Sequence, residues 1–405
     1  MHVAVLLQHY HTPDCATAAR PWSLVRALAR RHDVTVLTTD AWRKRRLTRR
    51  FEWVPKDARM RELAVPYANE MTIGQRLRSY LGYAARATWD GASQMPRPDL
   101  VYASSTPLTV GAVGAALATR WQCPWVFEVQ DLWPDFPIQM GAFEAAGPAQ
   151  PLLEDALYKL ERALYRSAAR VIAVSPAMTA HVRRFVPAPT AVSVPYGTDF
   201  DILDDVTPED TAALRCDLGL SEGSAPVVLY AGSFGRANDL PTLVEAARRL
   251  QHRSDVHFVF AGRGYHRPLL ERAARELPGV HLPEPHPYPQ ALALFRAADL
   301  SLVPFLDRPV LRTNAPSKFF DSLAAGTPVV VTSPGWTKTF VEEHGCGWYV
   351  PPERPQALAD RIQAVLENEQ ERRQTARRAS QAAREHFDRR VHMNSILSII
   401  EEIVR

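Results

Sequence analysis

Cysteine is scarce: Cys15, Cys123, Cys216 and Cys346 are the whole supply in 405 residues, scattered and without a CxxC pair. Neither a disulfide framework nor a cysteine zinc site is indicated, and a reducing compartment fits. No uninterrupted apolar run is long enough to span a bilayer, and Met1 leads at once into the strand-like HVAVLLQ without a cleavable leader pattern. The expectation is a cytoplasmic protein. Also missing are a GxGxxG fingerprint and a Walker lysine, which removes the two common phosphate-loop signatures. Charge of one sign is not in excess either, the formal net charge being only +4. With no reader motif and no basic and aromatic platform, nucleic acid is not an expected partner.

What is present is material for two cores. The length exceeds the size at which one core keeps growing, and 46% hydrophobic with 23% charged residues are ordinary globular values. The first half alternates apolar strands (HVAVLLQ, DVTVLTT, DLVYASS, WVFEVQD, RVIAVS, AVSVPYG) with helical stretches near residues 18–31 and 108–120. The second half repeats the scheme with PVVLYAGS, VHFVFAG, VHLPE, LSLVPF, PVVVTS and GWYVPP. Continuous apolar strands separated by helices imply parallel sheets covered on both faces, so the fold class is α/β with two Rossmann-like domains. The acid-rich, aperiodic stretch 196–210 reads as the linker, giving domains 1–200 and 201–388.

The segment 314–335, NAPSKFFDSLAAGTPVVVTSPG, reads as loop, short helix and buried strand. Asn314 and Ser317 are capping types, Pro316 suits a first turn, and Gly326 suits a left-handed end. Lys318 and Asp321 stand at i and i+3, so they share a face beside a helix start whose unpaired N–H groups favour phosphate. A lysine and a carboxylate so placed can hold a diphosphate and a diol together, although an i, i+3 charge pair on an ordinary surface helix has the same spacing. Two glycine loops follow strands: GSFGRAND, with Gly232, Gly235 and Arg236, and GRG, with Gly262. Their glycines permit close backbone approach, and Arg236 can reach a diphosphate. Each loop alone is equally compatible with a plain turn. In the first half, EVQDLWPD ends a strand with Glu128, Gln130 and Asp131; the carboxylates are ionisable candidates, whereas Gln130 can orient a hydroxyl but cannot act as a base.

Residues 43–50, RKRRLTRR, gather six positive charges within eight residues. In the following helical stretch, 73–89, Ile73, Leu77, Tyr80, Leu81 and Ala84 recur among Arg76, Arg78 and Arg86. Together they fit docking on an anionic membrane surface, and they fit equally a solvated loop before a packed helix.

Taken in order, YAGSFGRANDLPTLVEAA, FAGRGYHRPLLERAA, RAADLSLVPF and PSKFFDSLAAGTPVVV resemble the donor domain of retaining glycosyltransferases of family 4. RALARRHDVTVLTT, RPDLVYASSTPLTVG, LERALYRSAARVIAVSPAM and VPYGTD extend the resemblance over nearly the whole chain. The subgroup most similar in appearance builds bacterial surface polysaccharides, including O-antigen and capsule amino-sugar transferases. The resemblance implies a GT-B fold, two Rossmann-like domains facing across a cleft, with a C-terminal helix, 389–405, crossing back to the first domain. It implies transfer of a sugar with retention from a nucleoside diphosphate sugar, UDP favoured, to a glycan or polyprenyl-linked acceptor, at the inner face of the plasma membrane. The nucleotide sugar is a co-substrate, and no other cofactor is expected.

By that resemblance Asp321 stands at the ribose-binding position of a Glu-x7-Glu motif whose first position is Thr313. Asn238 replaces the usual lysine, leaving Arg236 and Lys318 to hold the diphosphate with Ser317 and the glycines. Glu284 lies in HLPEPHP, the expected base pocket. Gln130 replaces a histidine beside Asp131. Asp199 and Asp201 form a DxD pattern, but it falls in the linker, where the family has an Asn-Gly-Val-Asp-like sequence, and so short an acidic pattern arises often by chance, so no metal ion is expected. A GT-B nucleotide-sugar epimerase and a non-catalytic nucleotide-sugar-binding subunit are the alternatives.

Overall fold

The computed structural model describes residues 1–68, 71–219 and 225–405. They form two compact units, one comprising Met1–Cys15, Ala19–Pro195 and Arg390–Arg405, the other Ala16–Ala18 and Tyr196–Arg389.

The first unit holds β1 (His2–Leu7), β2 (Asp33–Thr39), β3 (Ala58–Leu63), β4 (Leu100–Ser104), β5 (Trp125–Val129), β6 (Arg170–Ala173) and β7 (Ala191–Ser193). They make one parallel sheet in the order β3-β2-β1-β4-β5-β6-β7. Strands β4 and β5 are buried along their full length, as expected where helices cover both faces. The covering helices include α1 (Arg20–Ala29), α2 (Ile73–Ser93), α3 (Leu108–Trp121), α4 (Asp135–Gln139), α5 (Gln150–Ser167) and α6 (Pro176–Val182). Strand β3, ARMREL, has no place in the sequence reading because its alternating charges hide it; as an edge strand it needs only partial burial.

The second unit opens with α7 (Phe200–Asp204) and α8 (Pro208–Asp217), the latter closed by a capping box between Thr207 and Asp210. The stretch read as a loose linker is therefore ordered, with Phe200, Ile202 and Leu203 buried, and the division falls at Pro195/Tyr196. Strands β8 (Val227–Ala231), β9 (His257–Ala261), β10 (Val280–His281), β11 (Leu300–Val303), β12 (Val329–Val331) and β13 (Gly347–Tyr349) form a parallel sheet ordered β10-β9-β8-β11-β12-β13. Helices α9 (Leu240–Arg249), α10 (Arg267–Glu276), α11 (Tyr288–Ala297), α12 (Ser317–Ala324), α13 (Trp336–His344), α14 (Pro355–Glu367) and α15 (Glu369–His386) surround it. A last helix, α16 (Arg389–Val404), belongs from Arg390 onward to the first unit, where Arg31 reaches Glu401 at 3.3 Å.

Strand order reverses between β1 and β4 in one sheet and between β8 and β11 in the other. Loops leaving the carboxyl ends of strands on either side of such a reversal part to opposite faces and leave a crevice. The glycine loop after β8 and Phe305 after β11 flank one crevice. Residues 8–15 after β1 and Ser104 to Thr106 after β4 flank the other.

Candidate functional site

In the second unit the two glycine loops are stitched together. The Gly232 N–H donates to the Ala261 carbonyl at 2.9 Å, the Phe234 N–H to the Arg263 carbonyl at 2.8 Å, and the His266 N–H to the Phe234 carbonyl at 2.9 Å. Gly262 has φ +157°, and a β-carbon there would lie 1.9 Å from the Gly232 carbonyl oxygen, so only glycine fits. Buried Phe234 plugs the floor, leaving Gly232 and Arg236 exposed above it. The Arg236 guanidinium rests 4.1 Å from the centroid of the Tyr265 ring. Glu284 is exposed beside the second loop, paired with Arg263 and Arg267 at 3.1 Å each.

Helix α12 supplies the other half. Pro316, not Asn314 or Ser317, occupies its N-cap position, and no side chain caps it; Ser317 is its first residue. Gly326 does take the left-handed end, at φ +76°. Every residue from Lys318 to Ala324 is buried, which rules out a solvated surface helix. Lys318 and Asp321 do not pair with each other. The Lys318 Nζ donates to Asn238 Oδ1 at 2.9 Å, lies 4.7 Å from the Tyr230 ring centroid, and its stem passes against Gly232. Burial pushes its pKa down to about 7, so the ammonium waits near neutrality for a counter-charge.

Asp321 sits one turn on. Its Oδ1 accepts hydrogen bonds from the Thr198 and Tyr288 hydroxyls, both at 2.8 Å. Among the described residues its Oδ2 has no hydrogen-bond partner. Burial raises the carboxyl pKa to about 6 against the opposing pull of Arg389 and the two hydroxyls. Arg389 is itself buried, with Nη2 donating to the Gly197 carbonyl at 2.6 Å. Thr198, Tyr288 and Arg389 were invisible as site residues in sequence, since they come from three separate segments and no local spacing connects them.

The first unit brings Gln130 and Asp131 together at the end of β5, but not as a pair of free acids. Glu128 is fully buried against Arg20, Nη2 to Oε1 at 2.7 Å, while Ser104 donates to its Oε2 at 2.6 Å. Arg20 also donates to the Pro195 and Val194 carbonyls. Gln130 Nε2 donates to Ser104 Oγ at 2.8 Å and Glu128 Oε2 at 3.2 Å. Glu128 is thus a structural anion that orients Gln130. Asp131 accepts from Thr106 at 3.2 Å, and burial lifts its pKa to about 6.

An aromatic cluster at the same end of the sheet was also hidden in the sequence. The ring centroids of His9 and Tyr67 lie 4.2 Å apart, those of Tyr67 and Tyr80 6.3 Å, and those of Tyr80 and Trp133 5.9 Å. The Trp42 indole N–H donates to His9 Nδ1 at 3.2 Å, and burial drives the His9 pKa down to about 3, so the ring is neutral with its proton on Nε2. His9 Nε2 and Trp133 Nε1 are buried N–H donors without partners among the described residues.

The basic segment is less open than its sequence suggests. Asp14 anchors it, accepting from Arg46 at 2.6 Å, from the Thr48 hydroxyl and from the Arg50 N–H. Arg43 pairs with Glu62 at 2.6 Å and Lys44 with Asp40 at 2.7 Å. Helix α2 buries Tyr80, Tyr83 and Ala87, whereas Ile73, Leu77 and Leu81, read with Tyr80 as one apolar set, are about half exposed, and Trp89 is 74% exposed.

Two parallel sheets, each with a strand-order reversal, define the class as a GT-B fold when set beside known structures. Residues 16–197 match the family described as glycosyl transferase 4-like domain, and residues 225–368 that described as glycosyl transferases group 1. The chain belongs to the glycosyltransferases of family 4. It is similar, at 27% identity over 197 residues, to the putative colanic acid biosynthesis glycosyl transferase WcaI of Escherichia coli K12, covering 47% of each chain. The chain spans about half the length of the curated relatives it matches. Among solved structures it resembles sucrose-phosphate synthase from Thermosynechococcus elongatus, with TM-score 0.75, 18% identity, and coverage of 99% of this chain and 98% of that one. It also resembles Anabaena HepE in complex with UDP-glucose, with TM-score 0.69, 18% identity, and coverage of 99% and 100%. At these identities the likeness concerns the fold. No helix among the described residues is long and apolar enough to cross a membrane.

Proposed function

We propose that this chain transfers a sugar from a nucleoside diphosphate sugar, UDP favoured, to an acceptor hydroxyl with retention of configuration. The observation that carries the reading is the placement of Lys318 and Asp321 on one buried helix, beside a glycine loop that Lys318 itself covers. The diphosphate rests on Gly232 and Gly235, with Lys318, Arg236 and the start of α12 taking the charge that develops as the sugar departs. Asp321 Oδ2 accepts from the ribose diol. Three sources of positive potential make a metal ion unnecessary for leaving-group departure at this site. Retention follows attack from the face the diphosphate leaves, with no protein nucleophile required.

The acceptor is a polyprenyl-linked sugar, and the first unit's aromatic cluster is its platform. Aromatic faces suit the apolar faces of a pyranose. The ridge Ile73, Leu77, Leu81 and Trp89 on α2, flanked by Arg78 and Arg86, meets the anionic lipid surface that carries this acceptor. With Arg43, Lys44 and Arg46 already paired, the ridge contributes more than the basic segment 43–50.

Turnover of UDP-sugars with a short-chain polyprenyl-diphosphate sugar, followed by NMR of the product's anomeric proton, tests the reaction. An α-linked product from an α-linked donor is expected. An inverted linkage contradicts retention, and acceptor-independent isomerisation of UDP-N-acetylglucosamine points to the epimerase instead. Sedimentation with anionic vesicles tests docking: a Leu77→Glu, Leu81→Glu double variant should stay in the supernatant, and equal binding by variant and wild type removes the ridge from the account.

A further inference from the structure

The loop that carries Gln130 and Asp131 runs into α4, and there Asp135 meets Glu161 of α5 and His181 of α6. One ligating atom from each side chain lies within 4.8 Å of those of the other two. His181 Nε2 is 3.0 Å from Glu161 Oε1. Two hydroxyls hold the carboxylates from outside: Tyr165 donates to Glu161 Oε1 at 3.0 Å, and Tyr158 donates to Asp135 Oδ1 at 2.9 Å. Glu161 is fully buried, and among the described residues its second oxygen, Oε2, has no hydrogen-bond partner.

The electrostatics of this cluster do not balance as they stand. Two carboxylates share a single imidazole, and among the described residues no lysine or arginine forms an ion pair with either. A buried carboxylate with one oxygen bare is costly unless a cation reaches it. We propose that Asp135, Glu161 and His181 bind a divalent transition-metal ion of the zinc type, with Glu161 Oε2 as one ligand. An imidazole nitrogen among the donors argues against magnesium and calcium, which take oxygen ligands, and two carboxylates with a histidine are a common set for zinc. In a tetrahedral site with bonds near 2.0–2.1 Å the ligating atoms lie roughly 3.3 Å apart, so the spacing here closes around an ion with small side-chain movements. Tyr158 and Tyr165 then act as the outer partners that fix carboxylate orientation. The ion ties the loop bearing Asp131 to α5 and α6. It lies in the first unit, takes no part in binding the donor diphosphate, and does not depend on the sugar-transfer reading.

The test uses the full-length chain without an affinity tag, stripped with chelator and equilibrated with zinc chloride in metal-free buffer. Bound metal is counted by mass spectrometry, and the thermal midpoint is recorded with and without zinc. One zinc per chain and a higher midpoint are expected for the wild type. Asp135→Asn and His181→Gln should each weaken binding at least tenfold, Tyr158→Phe should weaken it less, and His281→Gln, whose Nε2 lies 2.8 Å from His257 Nδ1 in the second unit, should leave it unchanged. Asp135 is only partly buried, so its variant keeps the test open if His181→Gln does not fold. A folded wild type that takes up no zinc, or zinc uptake undiminished in both ligand variants, overturns the proposal.

Discussion

Lys318 donates its ammonium to Asn238 Oδ1 at 2.9 Å beneath the first glycine loop. The contact holds the buried cation against Gly232 without neutralising it, because an amide oxygen supplies a dipole and no charge. With burial holding the pKa near 7, the free protein loses this proton above neutrality. A diphosphate needs the ammonium, so nucleotide affinity should be flat below about pH 7 and fall up to tenfold per unit above it. Calorimetric titrations of UDP from pH 6 to 9 check this, with the slope absent in Lys318→Met. Stability runs the other way. Between about pH 7 and the ordinary lysine value the unfolded chain holds more protons, so the wild type gains stability with rising pH and Lys318→Met does not.

Asp321 shows the opposite linkage. Its folded pKa of about 6 lies above the usual carboxyl value of 3.8, so the native state binds the proton more tightly. The corresponding stability is present below pH 3.8 and is lost as pH rises through 6; urea melts of Asp321→Asn should lack that decline. For nucleotide binding, loss of charge-assisted hydrogen bonds worth about 1.5–3 kcal/mol each predicts a dissociation constant raised at least tenfold. Tyr288→Phe, which frees Oδ1 from one partner, should cost less.

The Arg20–Glu128 pair is buried on both sides, and removing one member strands the other. Arg20→Met should lower unfolding free energy by about 3–5 kcal/mol, measured by urea denaturation. Gln130→Ala, which removes only hydrogen bonds to Ser104 and Glu128, should cost about 1 kcal/mol.

Asp131 titrates near pH 6 because it is buried with one hydroxyl donor, Thr106. If its ionised form orients the acceptor, the transferase pH profile should carry an acid-limb inflection near 6. Asp131→Asn should remove that inflection while leaving nucleotide binding intact.

The α/β strand pattern was readable because strands such as VVLYA and LVYAS are buried on both faces and leave unbroken apolar runs. Strand β3 was not, since an edge strand tolerates the charges of ARMREL. Lys318, Asp321 and the glycine loops were readable because a helix start, a lysine and a carboxylate lie within one short segment. Their partners were not: Thr198, Tyr288 and Arg389 converge only through folding. Tyr80 and Leu81 are adjacent in sequence but a hundred degrees apart on a helix, so burying Tyr80 with Tyr83 and Ala87 turns Leu81 outward. The anchoring of Arg46 was hidden because its partner Asp14 lies in a distant loop, while Arg43, Lys44, Arg49 and Arg50 remain exposed.

Thermal shift with UDP, GDP, ADP and dTDP, with and without EDTA, on the wild type and Asp321→Ala tests the donor site most directly. A nucleotide at a hundredfold excess over its dissociation constant stabilises by about 2.7 kcal/mol. The account predicts a shift with UDP that EDTA leaves unchanged and Asp321→Ala abolishes. No shift with any nucleotide, or a UDP shift that survives in Asp321→Ala, would contradict it.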